Sequence, residues 1–130
     1  LNNILIKEKK MVKVISIDGV DYVKKDDICK DATKLDGLEY VLIRADRAGV
    51  FAGYLESQNG QEVILRQARR LWRWYGANSL SELAMDGVSK PSDCLFPKEV
   101  TRIKIQGVIE TIPCTEKAQK SIFGVKEWKQ

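Results

Sequence analysis

The sequence predicts an α+β fold: a small, mainly antiparallel β-sheet domain with two short helices. Three observations carry that expectation. Short, strand-like apolar runs flank Asp18-Gly19, Asn59-Gly60 and Gln106-Gly107, pairs suited to tight turns between antiparallel strands. Ser79 stands three residues before Glu82, the capping-box spacing, and Gly87 follows where a helix would end. Thr115, just past Pro113, can cap a second helix that runs to about Ile122.

In chain order, Met11–Ile17 and Val20–Lys24 form the arms of a first hairpin around Asp18-Gly19. The charged stretch Lys25–Gly37 reads as a connector with at most a helical turn. Tyr40–Arg44 (YVLIR) is a near-continuous apolar run, which suits a strand in the core. Val50–Glu56 follows, with Gly53 inside it. Asn and Gly both accept positive φ, so Asn59-Gly60 predicts a two-residue turn that sets Gln58 against Gln61 and Tyr54 against Leu65. The returning run, Glu62 to about Trp74, is long for one strand and predicts a bulge near Gln67–Arg70. After the capped helix at Ser79–Met85 comes a loop bracketed by Pro91 and Pro97. Glu99–Ile105 and Val108–Ile112 then pair around Gln106-Gly107. No internal repeat, low-complexity tract or linker interrupts this order.

The composition bounds the chemistry. The 130 residues suit one domain, which can bury enough surface to fold without metal or disulfide. There is no histidine, which excludes a histidine-ligated metal, a Ser-His or Cys-His dyad and an imidazole base. Cys29, Cys94 and Cys114 are odd in number and widely spaced, which predicts reduced thiols in a cytoplasmic setting rather than a zinc site or disulfide framework. No apolar run approaches the length of a membrane span, so no membrane partner is expected. No motif implies a cofactor. Met11 immediately precedes the first strand-like run, so residues 1–10 are expected to be an extension and 11–130 the globular domain.

The net charge of +4 is small, but its distribution is not even. Six of the seven arginines fall between Arg44 and Arg73, whereas the lysines are scattered. Arg66, Arg69, Arg70 and Arg73 are interleaved with Trp72, Trp74 and Tyr75. Guanidinium groups pair bidentately with phosphate oxygens and aromatic rings stack on bases, so this segment is the candidate site for an anionic nucleotide-type ligand. If the strand ran unbroken, residues 66, 70, 72 and 74 would share one face. Arg44 and Arg47 are added from the neighbouring strand. Asn78 and Ser79, at a helix N-terminus, are candidates for a phosphate or ribose contact. The same residues also suit a structural role, with arginines lying over indole rings on a solvated sheet. Asp26-Asp27 beside Lys24-Lys25 reads as a self-compensating loop, and Lys117, Lys120, Lys126 and Lys129 as ordinary helix solubility.

Five stretches carry a resemblance: YVLIR at 40–44, AGVFAGYL at 48–55, RRLWRWYGANSLSELAMDGVSKP at 69–91, IETIPCTEKAQKSI at 109–122 and ISIDGVDYVKKDDI at 15–28. Together they resemble a family of short bacteriophage and prophage proteins with no established activity. The resemblance implies an accessory protein acting in the bacterial cytoplasm on some component of the host. Joined to the Arg/Trp segment, it leads to the expectation of a non-enzymatic, homo-oligomeric binder that sequesters a host nucleotide signal. Two other expectations stand beside it: a single-stranded nucleic-acid module, and an interaction domain that inhibits a host protein.

Overall fold

The computed structural model describes residues 14–17, 20–23 and 30–129, with side chains for 30–129. The chain divides into two compact units, Leu1–Lys30 and Asp31–Gln130. In the first, β1 (Val14–Ile17) pairs antiparallel with β2 (Val20–Val23), Ile17 opposite Val20, the register expected of a two-residue turn. Residues 1–10 and the acidic pair Asp26-Asp27 lie outside the described residues.

The second unit holds one five-stranded antiparallel sheet, β3 (Tyr40–Ala45), β4 (Gly49–Asn59), β5 (Glu62–Arg70), β6 (Val100–Ile105) and β7 (Val108–Pro113), in the order β6-β5-β4-β3-β7. Two helices, α1 (Leu80–Asp86) and α2 (Glu116–Phe123), complete the α+β architecture. Among the described residues, no helix is long and apolar enough to cross a membrane.

The strand order corrects the expected pairing of β6 with β7. They are consecutive in the chain, yet β6 pairs with β5 and β7 with β3, at opposite edges. Five flat strands would set those edges about 19 Å apart, further than the two-residue connection can reach. The sheet must therefore curl. Asp46 N donates to Gly107 O at 2.8 Å and Val108 N to Gln61 O at 2.9 Å. The turns at both ends of β4 thus meet one connection, although a straight eleven-residue strand would separate them by about 33 Å.

Bulges supply the bend. The β4–β5 register slips at Glu56 and again beside Gly53 and Gln67. Gln67 has φ +48°, so the expected bulge in this strand is present. Gly53 faces it, where a Cβ would come within 3.1 Å of Arg66 O and 3.2 Å of Ala68 Cα. The turn itself differs from expectation. Asn59 pairs with Glu62 and Gln58 with Val63, so the two loop residues are Gly60 and Gln61. Gly60 alone takes positive φ, +60°, as a turn with glycine at its first central position requires, and Asn59 stays in the strand.

Curling gives the sheet two buried faces. Val41, Ile43, Ala45, Phe51, Val63, Leu65, Ala68, Ile105 and Val108 fill one cluster. Tyr40, Leu42, Ala52 and Tyr54 on the other face meet Leu83 and Ala84 of α1 and Ala118 and Ile122 of α2. The apolar run at 40–43 is therefore buried on both sides, as a central strand should be.

Both helices start where their caps predict. Ser79 Oγ accepts from Glu82 N at 3.2 Å, and Thr115 Oγ1 accepts from Ala118 N at 3.1 Å. Gly87 ends α1 with φ +75°. Segment 30–38 contains no helical turn. Asp36 (φ +51°) and Gly37 (φ +80°) form a tight turn between Leu35 and Leu38, whose backbones exchange hydrogen bonds. Positive φ at both central positions is what an Asp-Gly pair favours.

Candidate functional site

The arginine-rich segment begins on β5 and leaves the sheet after Arg70. The bulge at Gln67 resets the alternation, so Arg66 and Arg69 face the helix side with Tyr54 and Ala52, while Arg70 faces the opposite side with Phe51. Each has local partners. Arg66 shares the Glu56 carboxylate with Arg102, at 2.8 and 2.7 Å. Two guanidinium groups on one carboxylate hold Glu56 down to about 2. Arg70 donates to Ala48 O at 2.5 Å and lies 4.3 Å from the centre of the Phe51 ring. Arg44 pairs with Glu110.

Arg69 is buried. Its Nη1 donates to Ile122 O at 2.7 Å, in the last turn of α2, and its guanidinium sits 5.3 Å from the Phe96 ring centre. A cation at the carbonyl end of a helix is favourably placed. Burial lowers its pKa, and Tyr40, Glu99 and Glu127 counter that effect. This arrangement ties β5 to α2 and to the segment around Phe96.

Arg47 stands exposed in the β3–β4 turn, and neither it nor Arg73 has an ion-pair partner among the described residues. Asn78 is exposed, with its backbone N–H on Glu82 Oε1 at 3.3 Å. The Ser79 hydroxyl caps α1. Trp74 is half-buried against the helix-side core.

What remains open is the stretch after the strand. Arg73 and Leu95 exchange backbone hydrogen bonds at 3.2 and 2.8 Å, and Trp128 N donates to Phe96 O at 2.9 Å. Three segments, around residues 73, 95 and 128, thus lie side by side. Trp72, 57% exposed, stacks on Trp128 with ring centres 5.1 Å apart and planes 3° from parallel. The Arg73 guanidinium lies 5.5 Å from the Trp72 ring centre. Tyr75 is 44% exposed.

Two hollows adjoin these rings. One, of about 870 Å³, is lined among others by Leu95, Trp128, Lys126 and Lys129. The other, of about 350 Å³, is lined by Arg73, Tyr75, Asp93 and Leu95. Leu95 belongs to both. Lys129 lies 3.7 Å from Glu127, and Lys126 has no ion-pair partner among the described residues. Cys94 lines the larger hollow, and its thiol is pushed up chiefly by burial. Among the described residues, no group of three His, Cys, Asp or Glu side chains could hold a metal ion.

The structure therefore brings together Trp72, Arg73 and Tyr75 and disperses the other arginines. Sequence reasoning missed Asp93, Lys126, Trp128 and Lys129. A signal was present: Lys126-Glu127-Trp128-Lys129 sets a tryptophan among cations, much as Arg70–Trp74 does.

The profile of a family described as a domain of unknown function (DUF6948) matches residues 38–122. It spans the curled sheet, all four residues that line the smaller hollow, and nearly all of α2, and it stops before Trp128. No curated protein and no solved structure matches the chain.

Proposed function

The chain belongs to the DUF6948 family, and we propose that it binds an anionic, nucleotide-type small molecule on the Trp72–Tyr75 surface. One observation carries this reading. A guanidinium without an ion-pair partner, Arg73, sits beside three partly exposed aromatic rings and lines the smaller of two hollows that share Leu95. Phosphate groups want the first, a base wants the second, and Lys126 and Lys129 add positive charge nearby.

Binding without catalysis is part of the proposal. Besides the cations Arg73, Lys126 and Lys129, the site's titratable groups are a lone aspartate, a glutamate paired with Lys129, a tyrosine and a thiol pushed up by burial. That set supplies no nucleophile paired with a base. The resemblance to phage proteins supports a setting in which an oligomer of this chain sequesters a host nucleotide signal in the bacterial cytoplasm.

The test is calorimetric titration with AMP, ADP, ADP-ribose and cyclic di-AMP, repeated on Arg73→Glu. At least one of the four should bind wild type, and the variant should bind it at least tenfold more weakly. Absence of binding by all four refutes the reading. Single-stranded DNA bound with an affinity that falls steeply with salt would replace it with a nucleic-acid module. A host protein retained after nuclease treatment, with no nucleotide bound, would replace it with an interaction domain.

A further inference from the structure

We propose that Asp93 is the specificity-determining residue of this site, accepting hydrogen bonds from the ribose hydroxyls and so selecting ribonucleotide over deoxyribonucleotide ligands. This rests on the nucleotide-type reading above. The antiparallel bridge between Arg73 and Leu95 sets those two residues opposite one another, and Asp93 ends the 3-10 turn Pro91–Asp93 that leads into Leu95. Arg73, Tyr75, Asp93 and Leu95 together line the smaller hollow. The Cys94 sulfur accepts from Tyr75 N at 3.4 Å and keeps the two segments together.

The Asp93 carboxylate is free to meet a ligand. Asp93 is exposed, and no ion pair joins it to Arg73 or to any other described cation. Beside a cation that takes phosphate, a free carboxylate repels the ligand unless its oxygens accept hydrogen bonds from it. A nucleotide carries hydroxyl donors on the ribose, between base and phosphate. Asp93 shares the hollow with the ring that would stack the base and with the cation that would hold the phosphate. That shared place suits the ribose that joins the two.

The experiment measures AMP, ADP, ADP-ribose and cyclic di-AMP beside the 2′-deoxy form of each, on wild type and on Asp93→Ala. Whichever ligand binds wild type should lose about tenfold or more when its hydroxyl is removed, the usual worth of a hydrogen bond to a charged group. In Asp93→Ala the preference should shrink to under twofold, with the ribose form weakened and the deoxy form unchanged or tighter. Equal binding of both forms by wild type overturns the assignment while leaving the nucleotide reading intact. So does a variant that loses both forms equally, or one that keeps the preference. Binding of none of the eight overturns the site and this assignment together.

Discussion

Replacing Gly87 with alanine should destabilise the protein far more than the same change at Gly60, although both glycines have positive φ. Gly87 sits at φ +75°, ψ −155°, a region that is essentially glycine-only and costs another residue about 1–3 kcal/mol. A Cβ there would also overlap the Ser121 side chain, lying 2.5 Å from its Oγ. Ser121 cannot yield freely. Its hydroxyl accepts from Val88 N at 2.9 Å and donates to Val88 O at 3.2 Å, and moving it forfeits two bonds of roughly 1 kcal/mol each. The sum is about 3–5 kcal/mol, a large share of the roughly 5–15 kcal/mol that holds a domain together. At Gly60, φ is +60° and nothing lies within 4 Å of the missing Cβ, so only the backbone cost remains, about 1–2 kcal/mol. Urea denaturation followed by circular dichroism measures both. The Gly87→Ala midpoint should fall by roughly 2 M, given slopes of about 1–3 kcal/mol/M. Two variants equally stable within about 1 kcal/mol would refute the claim that the contact of Gly87 with α2 is rigid.

Two further outcomes follow from the same geometry. Trp128→Ala and Trp72→Ala should each abolish the same far-ultraviolet exciton couplet in circular dichroism, because two stacked indoles 5.1 Å apart couple as a pair. Each should also cost about 0.5–1.5 kcal/mol beyond lost burial; a signal surviving either change would show that the rings do not stack. For Glu56, a folded pKa held near 2 against an ordinary 4.5 means a contribution fully present above about 4.5 and lost as pH falls through about 2. Glu56→Gln should therefore flatten the dependence of stability on pH across that window, measured by urea denaturation between pH 2 and 6. An unchanged slope would place the acid sensitivity elsewhere.

The local features were legible because a few adjacent residues decide them. Ser79 with Glu82, and Thr115 before α2, cap their helices through hydroxyls that reach backbone N–H groups three residues on. The apolar run at 40–43 marks a strand buried on both faces, whatever its neighbours. Even the bulge at Gln67 could be foreseen, since an unbroken alternation would have put arginines on both faces along with core residues.

What the sequence could not settle depends on contacts between distant residues. The register at Asn59 turned on one glycine satisfying the turn, with a bulge at Glu56 absorbing the slip. Gln106-Gly107 looked like a hairpin turn because turn chemistry is the same whether the flanking strands pair with each other or with others. Only the curl of β4, drawing both its ends to Gly107, sends β6 and β7 to opposite edges. The arginines show the same division. Their concentration between Arg44 and Arg73 is a property of the sequence, whereas tertiary contacts assign four of the six a partner: Glu110, Glu56, the end of α2, or Ala48. A guanidinium acts where its neighbours leave it room, and three-dimensional packing left that room at Arg73, beside a tryptophan from the far end of the chain.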